Sequence, residues 1–510
     1  MTERRRFLQA LAACGFAASL PACAQQPAGP RFKENPFKLG VASGYPRPDG
    51  MVLWTRLVGD LPPAPIPVRW EISASESFST PVSSGNTMAE PQWAHSVHVE
   101  PQGLEPDRWY WYRFTSGDAV SPTGRTRTAP AAGAAVARLR FAFASCQQYE
   151  QGYFNAYQHM ARDDLDLVAF LGDYIYESSW GRDHVRKHDA GVPSTLEEYR
   201  ARYALYKADA DLQLAHHAFP WIATWDDHEV NNDYAGDSPG YEPTSETFIA
   251  RRMAAYRAFY EHMPVPASMR PHEREMRIYT HFDWGRLARF LVLDDRQYRG
   301  LQACRTPGSR GAPTLDPETC PELADPTRSL LGSAQEAWLE RALADSKAGW
   351  NVLAQQTLMA QQDRKPGEGR AFWTDGWDGY PASRKKLLNY LDEKRIANPV
   401  VIGGDVHMHW VANLKSDFDD ATSPVVASEF CGTSITSQGA AQKDVDARLP
   451  DNPHIRYGRS DRRGYVRMSI AGGRLNAEMV GVDSVKKPES RAEVLARFVV
   501  EDGKPGPQRA

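Results

Sequence analysis

Residues 165–171, Leu-Asp-Leu-Val-Ala-Phe-Leu, run directly into Gly172-Asp173-Tyr174-Ile175-Tyr176. The apolar run is short enough for a buried strand and too short for a helix of ordinary length. Gly172 lets the backbone turn sharply, and an acid and two phenols follow at once. The same design recurs three times. Residues 139–145 lead to Cys146-Gln147. Trp221-Ile222-Ala223-Thr224-Trp225 leads to Asp226-Asp227-His228-Glu229, with Asn231-Asn232-Asp233 beyond. Residues 399–403 lead to Gly404-Asp405-Val406-His407-Met408-His409. Between these strands lie helical patterns. Ser194-Thr195-Leu196-Glu197 reads as a capping box opening a helix, and residues 335–347 place Trp338, Leu339 and Leu343 on one face. Further strands are expected over residues 287–293 and at Asn351-Val352-Leu353. Strands alternating with helices give a layered α/β fold, whose loops at strand ends are where such folds assemble sites.

Apolar strands that deliver thiol, carboxyl, phenol and imidazole groups to one sheet edge are costly to fold unless something compensates those groups, and metal ions do so. Each piece has a plainer reading when taken alone. Asp-Asp-His-Glu fits the acidic first turn of a helix. A lone Gly-Asp-x-x-Tyr means little, and a single Cys after a strand is usually a small buried apolar residue. Their joint occurrence at four strand ends favours a metal centre.

Residues 36–130 read as a separate β-rich unit, followed by the Pro/Gly/Ala linker at 129–135 and a larger α/β unit over 138–490. Residues 51–55, 68–72 and 95–99 alternate as strands do. Leu104-Glu105-Pro106 before Trp109-Tyr110-Trp111-Tyr112-Arg113-Phe114 resembles the corner and sixth strand of a fibronectin-like sandwich, where a tyrosine hydroxyl ties the turn. The aromatics there read as core and corner residues rather than as a sugar- or partner-binding surface.

Arg4-Arg5-Arg6-Phe7-Leu8, an apolar run over 10–20 and small residues at 22–24 form an export signal over residues 1–24, of twin-arginine type. Lipid attachment at Cys23 is the minor alternative, and a membrane anchor the plainest one. The formal charge is −4, and loss of the leader would remove three Arg and one Glu. With no long basic block downstream, a stable nucleic-acid or membrane partner is not expected. Cys304 and Cys320 flank a Pro/Gly/Thr-rich loop, and a disulfide is expected there in an oxidising compartment. Cys431, after Glu429-Phe430, is expected to be buried near a strand end.

Residues Ser145-Cys146, Gly172-Asp173-x-x-Tyr176, Trp225-Asp226-Asp227-His228-Glu229 with Asn231-Asn232, and Gly404-Asp405-Val406-His407 resemble the motifs of the PhoD-like alkaline phosphatases, a branch of the calcineurin-like metallophosphoesterases. The resemblance covers essentially the whole chain beyond the leader. It implies a four-layer α/β/β/α core behind an N-terminal β-sandwich, Fe(III) with Ca(II), phosphate mono- and diesters as substrates, and the twin-arginine machinery as export partner, hence a periplasmic or secreted location. Residue by residue, Asp173 matches the carboxylate that bridges two cations. Tyr176 matches a phenolate ligand suited to Fe(III), Cys146 stands where the wider superfamily has its first Asp-x-His pair, and His407 completes the iron shell. Asp405 stands where many relatives carry His, which turns the second site towards Ca(II). Asp227 matches a second-metal ligand, with Asp in place of the usual Asn. His228 matches the histidine near the leaving group, and Asp226, Asn231 and His409 stand as support.

The implied chemistry is hydrolysis by metal-activated water without a covalent enzyme intermediate. No Gly-x-Ser-x-Gly elbow argues for a serine hydrolase. A phospholipase D-type diesterase on the same scaffold is the nearest rival, and a non-catalytic binding protein with structural metals the remote one.

Overall fold

The computed structural model describes residues 30–510 except 241–244, 307, 309 and 310; the expected leader and Cys23 lie outside the described residues. Two large sheets pack face to face. The first has ten strands, in the order Lys504–Arg509, Ala492–Glu501, Arg474–Val482, Arg463–Ala471, Arg138–Ala144, Leu167–Phe170, Pro220–Ala223, Val41–Arg47, Gly50–Arg56 and Ser96–Val99. The second has seven: Thr280–Trp284, Ala288–Val292, Trp350–Ala354, Pro399–Gly403, Val425–Cys431, His409–Lys415 and Ile455–Arg459.

Side-chain alternation makes these strands central layers. In the second sheet Phe290, Val292, Val352, Val400, Ile402 and Phe430 face the first sheet. Their neighbours Leu291, Leu353, Val401 and Cys431 face outward, towards helices Gly332–Ala344 and Pro381–Glu393. Phe141 meets Phe290 edge-on at 5.1 Å between the sheets. Outside the first sheet, helices Leu196–Lys207 and Glu246–His262 press Tyr199, Tyr203, Tyr206, Tyr256 and Phe259 onto it. The result is the four-layer α/β/β/α core.

The helix expected over 335–347 runs from Gly332 to Ala344, with Leu339 and Leu343 buried and Trp338 half-buried. The capping box lies one residue later than expected. Thr195 is extended (φ −107°, ψ 163°), and its hydroxyl accepts from Glu198 N while Glu198 reaches back to Thr195 N. Glu197 stays exposed instead. Tyr110 ties its corner as expected, its Oη accepting from Glu105 N at 3.0 Å.

Strand pairing joins the N-terminal segment to the larger one. The N-terminal sandwich closes its core between Ile66, Val68, Ile72, Tyr112 and Phe114 on one side and Val41, Met51, Leu53 and Val97 on the other. The latter strands are not a sheet of their own. Ser43 pairs in parallel register with Pro220, so they continue the ten-stranded sheet. At its other edge that sheet runs past residue 490 through Ala492–Glu501 and Lys504–Arg509.

Candidate metal centre

Four loops meet at one end of the paired sheets, each leaving a strand that the sequence marks. Strands Arg138–Ala144, Leu167–Phe170 and Pro220–Ala223 are adjacent and parallel, so Cys146, Asp173 and Asp227 emerge on the same side. Pro399–Gly403, in the facing sheet, brings Asp405 and His407 from across. Cys146 (φ 59°), Asp173 (φ 58°), Asp405 (φ 62°) and His407 (φ 57°) all have left-handed backbone. That conformation is uncommon for residues with a Cβ and collects at functional sites. Gly172 makes the second turn possible: its φ is +105°, and a Cβ there would stand 2.4 Å from Asp226 N. The Asp226–Glu229 segment is a turn, not the helix start that the plainer reading allowed. Glu229 ties two loops together by accepting from the backbone N–H of Asp173 (3.1 Å), Tyr174 (2.6 Å) and Asp226 (2.8 Å).

Two groups of metal-capable atoms share Asp173. Cys146, Asp173 and His407 form one, and Asp173, Asp227 and His228 the other, with ligand atoms in each within 4.8 Å of one another. Tyr176 joins the first: its Oη donates to Asp173 Oδ2 at 2.7 Å and lies 3.1 Å from His407 Nε2. His407 Nδ1 faces Gln438 O at 2.9 Å, which holds that nitrogen as the N–H and leaves the Nε2 lone pair turned towards Tyr176 and Asp173. Trp180 stacks on the His407 ring at 5.5 Å between centroids. Arg463 donates to His407 O (2.6 Å), Ser437 O (2.7 Å) and Ser434 Oγ (2.9 Å), which fixes the neighbouring loops.

His228 Nδ1 is 2.6 Å from Glu177 Oε2. Burial opposes charge on this imidazole, but Glu177, Asp227 and Asp173 overcome it and raise its pKa well above the ordinary value. Burial raises the pKa values of Cys146, Asp173 and Tyr176 well above normal and, with Arg463, lowers that of His407 to about 3. A thiol, a carboxyl, a phenol and a neutral imidazole therefore converge in a place that disfavours their anions unless a cation is present. Asp226 Oδ2, Asp227 Oδ1 and Asp405 Oδ2 are buried without a hydrogen-bond partner. These orphaned oxygens and the donor chemistry fit metal binding.

Several residues here went unnoticed in the sequence. Arg296 is buried against Asp226 and Asp375, 3.6 Å from Asp405 and 4.0 Å from Asp227. Asp405 thus faces Arg296 and stands outside the two groups above. Asp233 and Asp375 gather with Asp227 in a third, all-carboxylate group. Leu293-Asp294-Asp295-Arg296 has the same apolar-to-charged switch after a strand as the four marked loops, which is a signal for Arg296. Glu177 is next to Tyr176, whereas Asp375 carries no local signal. His409 is turned away, its Nδ1 accepting from Thr433 N at 3.1 Å. Asn231 is taken up locally, donating to Pro239 O at 2.9 Å. A cleft of about 650 Å³ opens over the site, lined among others by His228, Asp405, His407, Trp180, Arg364 and Trp373.

Comparison with known proteins agrees with this architecture. The PhoD-like phosphatase family model matches residues 141–479. The chain belongs to the PhoD-like phosphatase family. The model for the N-terminal domain of PhoD-like phosphatases matches residues 22–130. Alkaline phosphatase D of Bacillus subtilis (strain 168) is 46% identical over 495 residues, covering 94% of this chain and 83% of that protein. A solved structure described as that of PhoD superposes with a TM-score of 0.90 at 45% identity, covering 94% of this chain and 93% of the other. Like its relatives, this PhoD-like phosphatase is a phosphoesterase, with buried Asp/His clusters suited to metal where its motifs converge.

Proposed function

We propose that this phosphatase hydrolyses phosphate mono- and diesters with Fe(III) and Ca(II) held at one cluster. The observation that carries this reading is Asp173, a single buried carboxylate shared by two groups of metal-capable side chains. Cys146, Tyr176 and His407 would hold the iron: thiolate and phenolate are hard to reconcile with calcium, and phenolate suits a highly charged ion. Asp227 and Asp405 would hold calcium through oxygen alone. Bound there, the cations would supply a nucleophilic hydroxide near neutral pH and neutralise charge on the phosphoryl oxygens.

The chain's own groups do the rest. His228 is fixed by Glu177 through Nδ1 and lines the cleft. Glu177 holds Nδ1 as an N–H, which leaves Nε2 facing the cleft, and when Nε2 is protonated it can donate to the departing oxygen. Gln438 O and Trp180 hold His407 in one tautomer and one orientation. Elemental analysis of purified protein, with assays on an aryl monoester and an aryl diester, tests the reading. Iron and calcium with turnover of either ester support it, and bound metal with turnover of neither overturns it. The ratio of the two rates separates the monoesterase from a phospholipase D-type diesterase.

Export to the periplasm or beyond by the twin-arginine machinery belongs to the same proposal. It is supported by Arg4-Arg5-Arg6-Phe7-Leu8 and by the Cys304–Cys320 disulfide, a bond that persists in oxidising compartments. No helix among the described residues is long and apolar enough to cross a membrane. Replacing Arg4 and Arg5 with Lys and following the protein by cell fractionation tests the route; unchanged export would overturn it.

A further inference from the structure

The cleft carries a cation that the residues assigned above do not use. Arg364 begins a loop that closes on itself, its N–H donating to Ala371 O at 2.8 Å. The tip, residues 365–369, is exposed. The Arg364 guanidinium carbon lies 4.5 Å from the ring centroid of Trp373, and both side chains line the same cleft as His228, Asp405 and His407. The other arginines near the site are engaged, Arg251 among them, which lines the cleft and donates to Tyr199 Oη and Val230 O. Arg296 meets Asp226 and Asp375, Arg299 meets Asp375, Arg384 meets Asp378, and Arg463 is surrounded by carbonyl oxygens. Among the described residues no carboxylate lies within 4.0 Å of the Arg364 guanidinium, and no side-chain hydrogen bond engages it.

Burial, with Arg448 nearby, lowers the Arg364 pKa to about 10, which leaves it cationic at neutral pH. Asp378, Asp405 and Asp375 offset part of that cost from beyond ion-pair distance, but none of them meets the half-buried guanidinium directly, and an oxyanion in the cleft could. The plainer reading is a cation–π contact that only steadies the loop. That reading does not account for a charge directed into a substrate cleft. Contact with the Trp373 ring restricts the guanidinium, so less conformational freedom is lost when its N–H groups meet an oxyanion. Asp405, Asp227, Asp233 and Glu177 all stand beyond ion-pair distance of it, so it serves a part of the ligand other than the group those carboxylates surround.

Resting on the phosphoesterase reading, we propose that Arg364, oriented by Trp373, is a specificity residue that takes a second oxyanion, carboxylate or phosphate, on the alcohol portion of the ester. The preferred substrates are phosphate esters whose alcohol is itself acidic.

Steady-state kinetics on the metal-loaded protein test this with matched pairs. 3-Phosphoglycerate is compared with glycerol 3-phosphate for a carboxylate, and propane-1,3-diol bisphosphate with its monophosphate for a phosphate. The wild type should favour the acidic member of at least one pair, through KM. Arg364→Met should cut that preference about tenfold or more, the scale of one charge-assisted hydrogen-bonded pair. Arg364→Lys should keep much of it, and Trp373→Leu should weaken it in the same direction. If Arg364→Met does not fold, Arg364→Lys and Trp373→Leu carry the comparison. No wild-type preference in either pair, or an equal loss on both members of a pair, would overturn the subsite while leaving the phosphoesterase reading intact. Loss of turnover of all four esters by fully metallated wild type would overturn both.

Discussion

Tyr176 Oη donates to Asp173 Oδ2 at 2.7 Å, although both side chains are wholly buried and only three residues apart. Burial and the neighbouring carboxylate keep this phenol protonated without a cation. A trivalent ion in its place would draw out the proton and bind the oxygen. Iron-containing protein should therefore show a visible tyrosinate-to-iron charge-transfer band, and Tyr176→Phe should abolish it. A fully active, colourless protein without iron would exclude the assignment.

Asp173 is shared by both ligand groups, so its loss should be felt by both. Asp173→Ala should bind neither metal and lose turnover by on the order of 10³-fold. The N-terminal core around Tyr112 and Phe114 lies elsewhere and should remain folded. Elemental analysis beside circular dichroism reads both outcomes; near-normal metal content would sink the shared role.

The four described cysteines have separate fates. Cys304 and Cys320 are bonded, whereas Cys146 and Cys431 are free and buried. Peptide mapping of unreduced protein should find the Cys304–Cys320 link alone. Replacing both of those residues with Ser should lower stability by about 3 kcal/mol, the loop-closure scale, with little effect on turnover. Cys146→Ser should cost far more activity than Cys304→Ser. A Cys146–Cys431 peptide from an active sample would contradict this assignment.

Glu429 gives the fold a pH dependence. Burial pushes its pKa from 4.5 up to about 7, against the opposing N–H bonds from Met359 (2.6 Å) and Ala360 (2.7 Å). A folded-state pKa above the unfolded one means that the folded chain holds the extra proton between those values. Stability from this group is thus complete below about pH 4.5 and is lost as pH rises through about 7, by about 3 kcal/mol in all. Glu429→Gln should unfold more easily at pH 5, and its deficit against wild type should shrink towards pH 8. A constant gap in denaturant titrations across that range would refute the titration.

The motifs legible in the sequence were those written in consecutive residues: an apolar strand, a break, then polar groups. That local grammar picked out Cys146, Asp173, Tyr176, Asp227, His228 and His407, and the chain brings these together because adjacent parallel strands deliver their loops to one edge. It picked out Asp405 too, but not that this carboxylate faces Arg296. The sandwich was legible from alternation and from the tyrosine corner.

Short-range pattern determined the layered α/β class and the residues that carry chemistry, because hydrophobic period and turn-forming residues act over a few positions. Only the tertiary structure decided which of them share a centre. Asp375 reaches Asp227 from 148 positions away, and nothing in its own Trp/Asp/Gly-rich loop names that partner. The union of Val41–Arg47 with Pro220–Ala223 depends on strand pairing across nearly 180 residues, since Ser43 pairs with Pro220. Edge hydrogen bonds of this kind are made by backbone, which every residue has, so no side-chain pattern announces the partner. Arg364 illustrates the same limit: its charge is written in the sequence, but that no carboxylate among the described residues meets it within 4.0 Å is a property of everything packed around it.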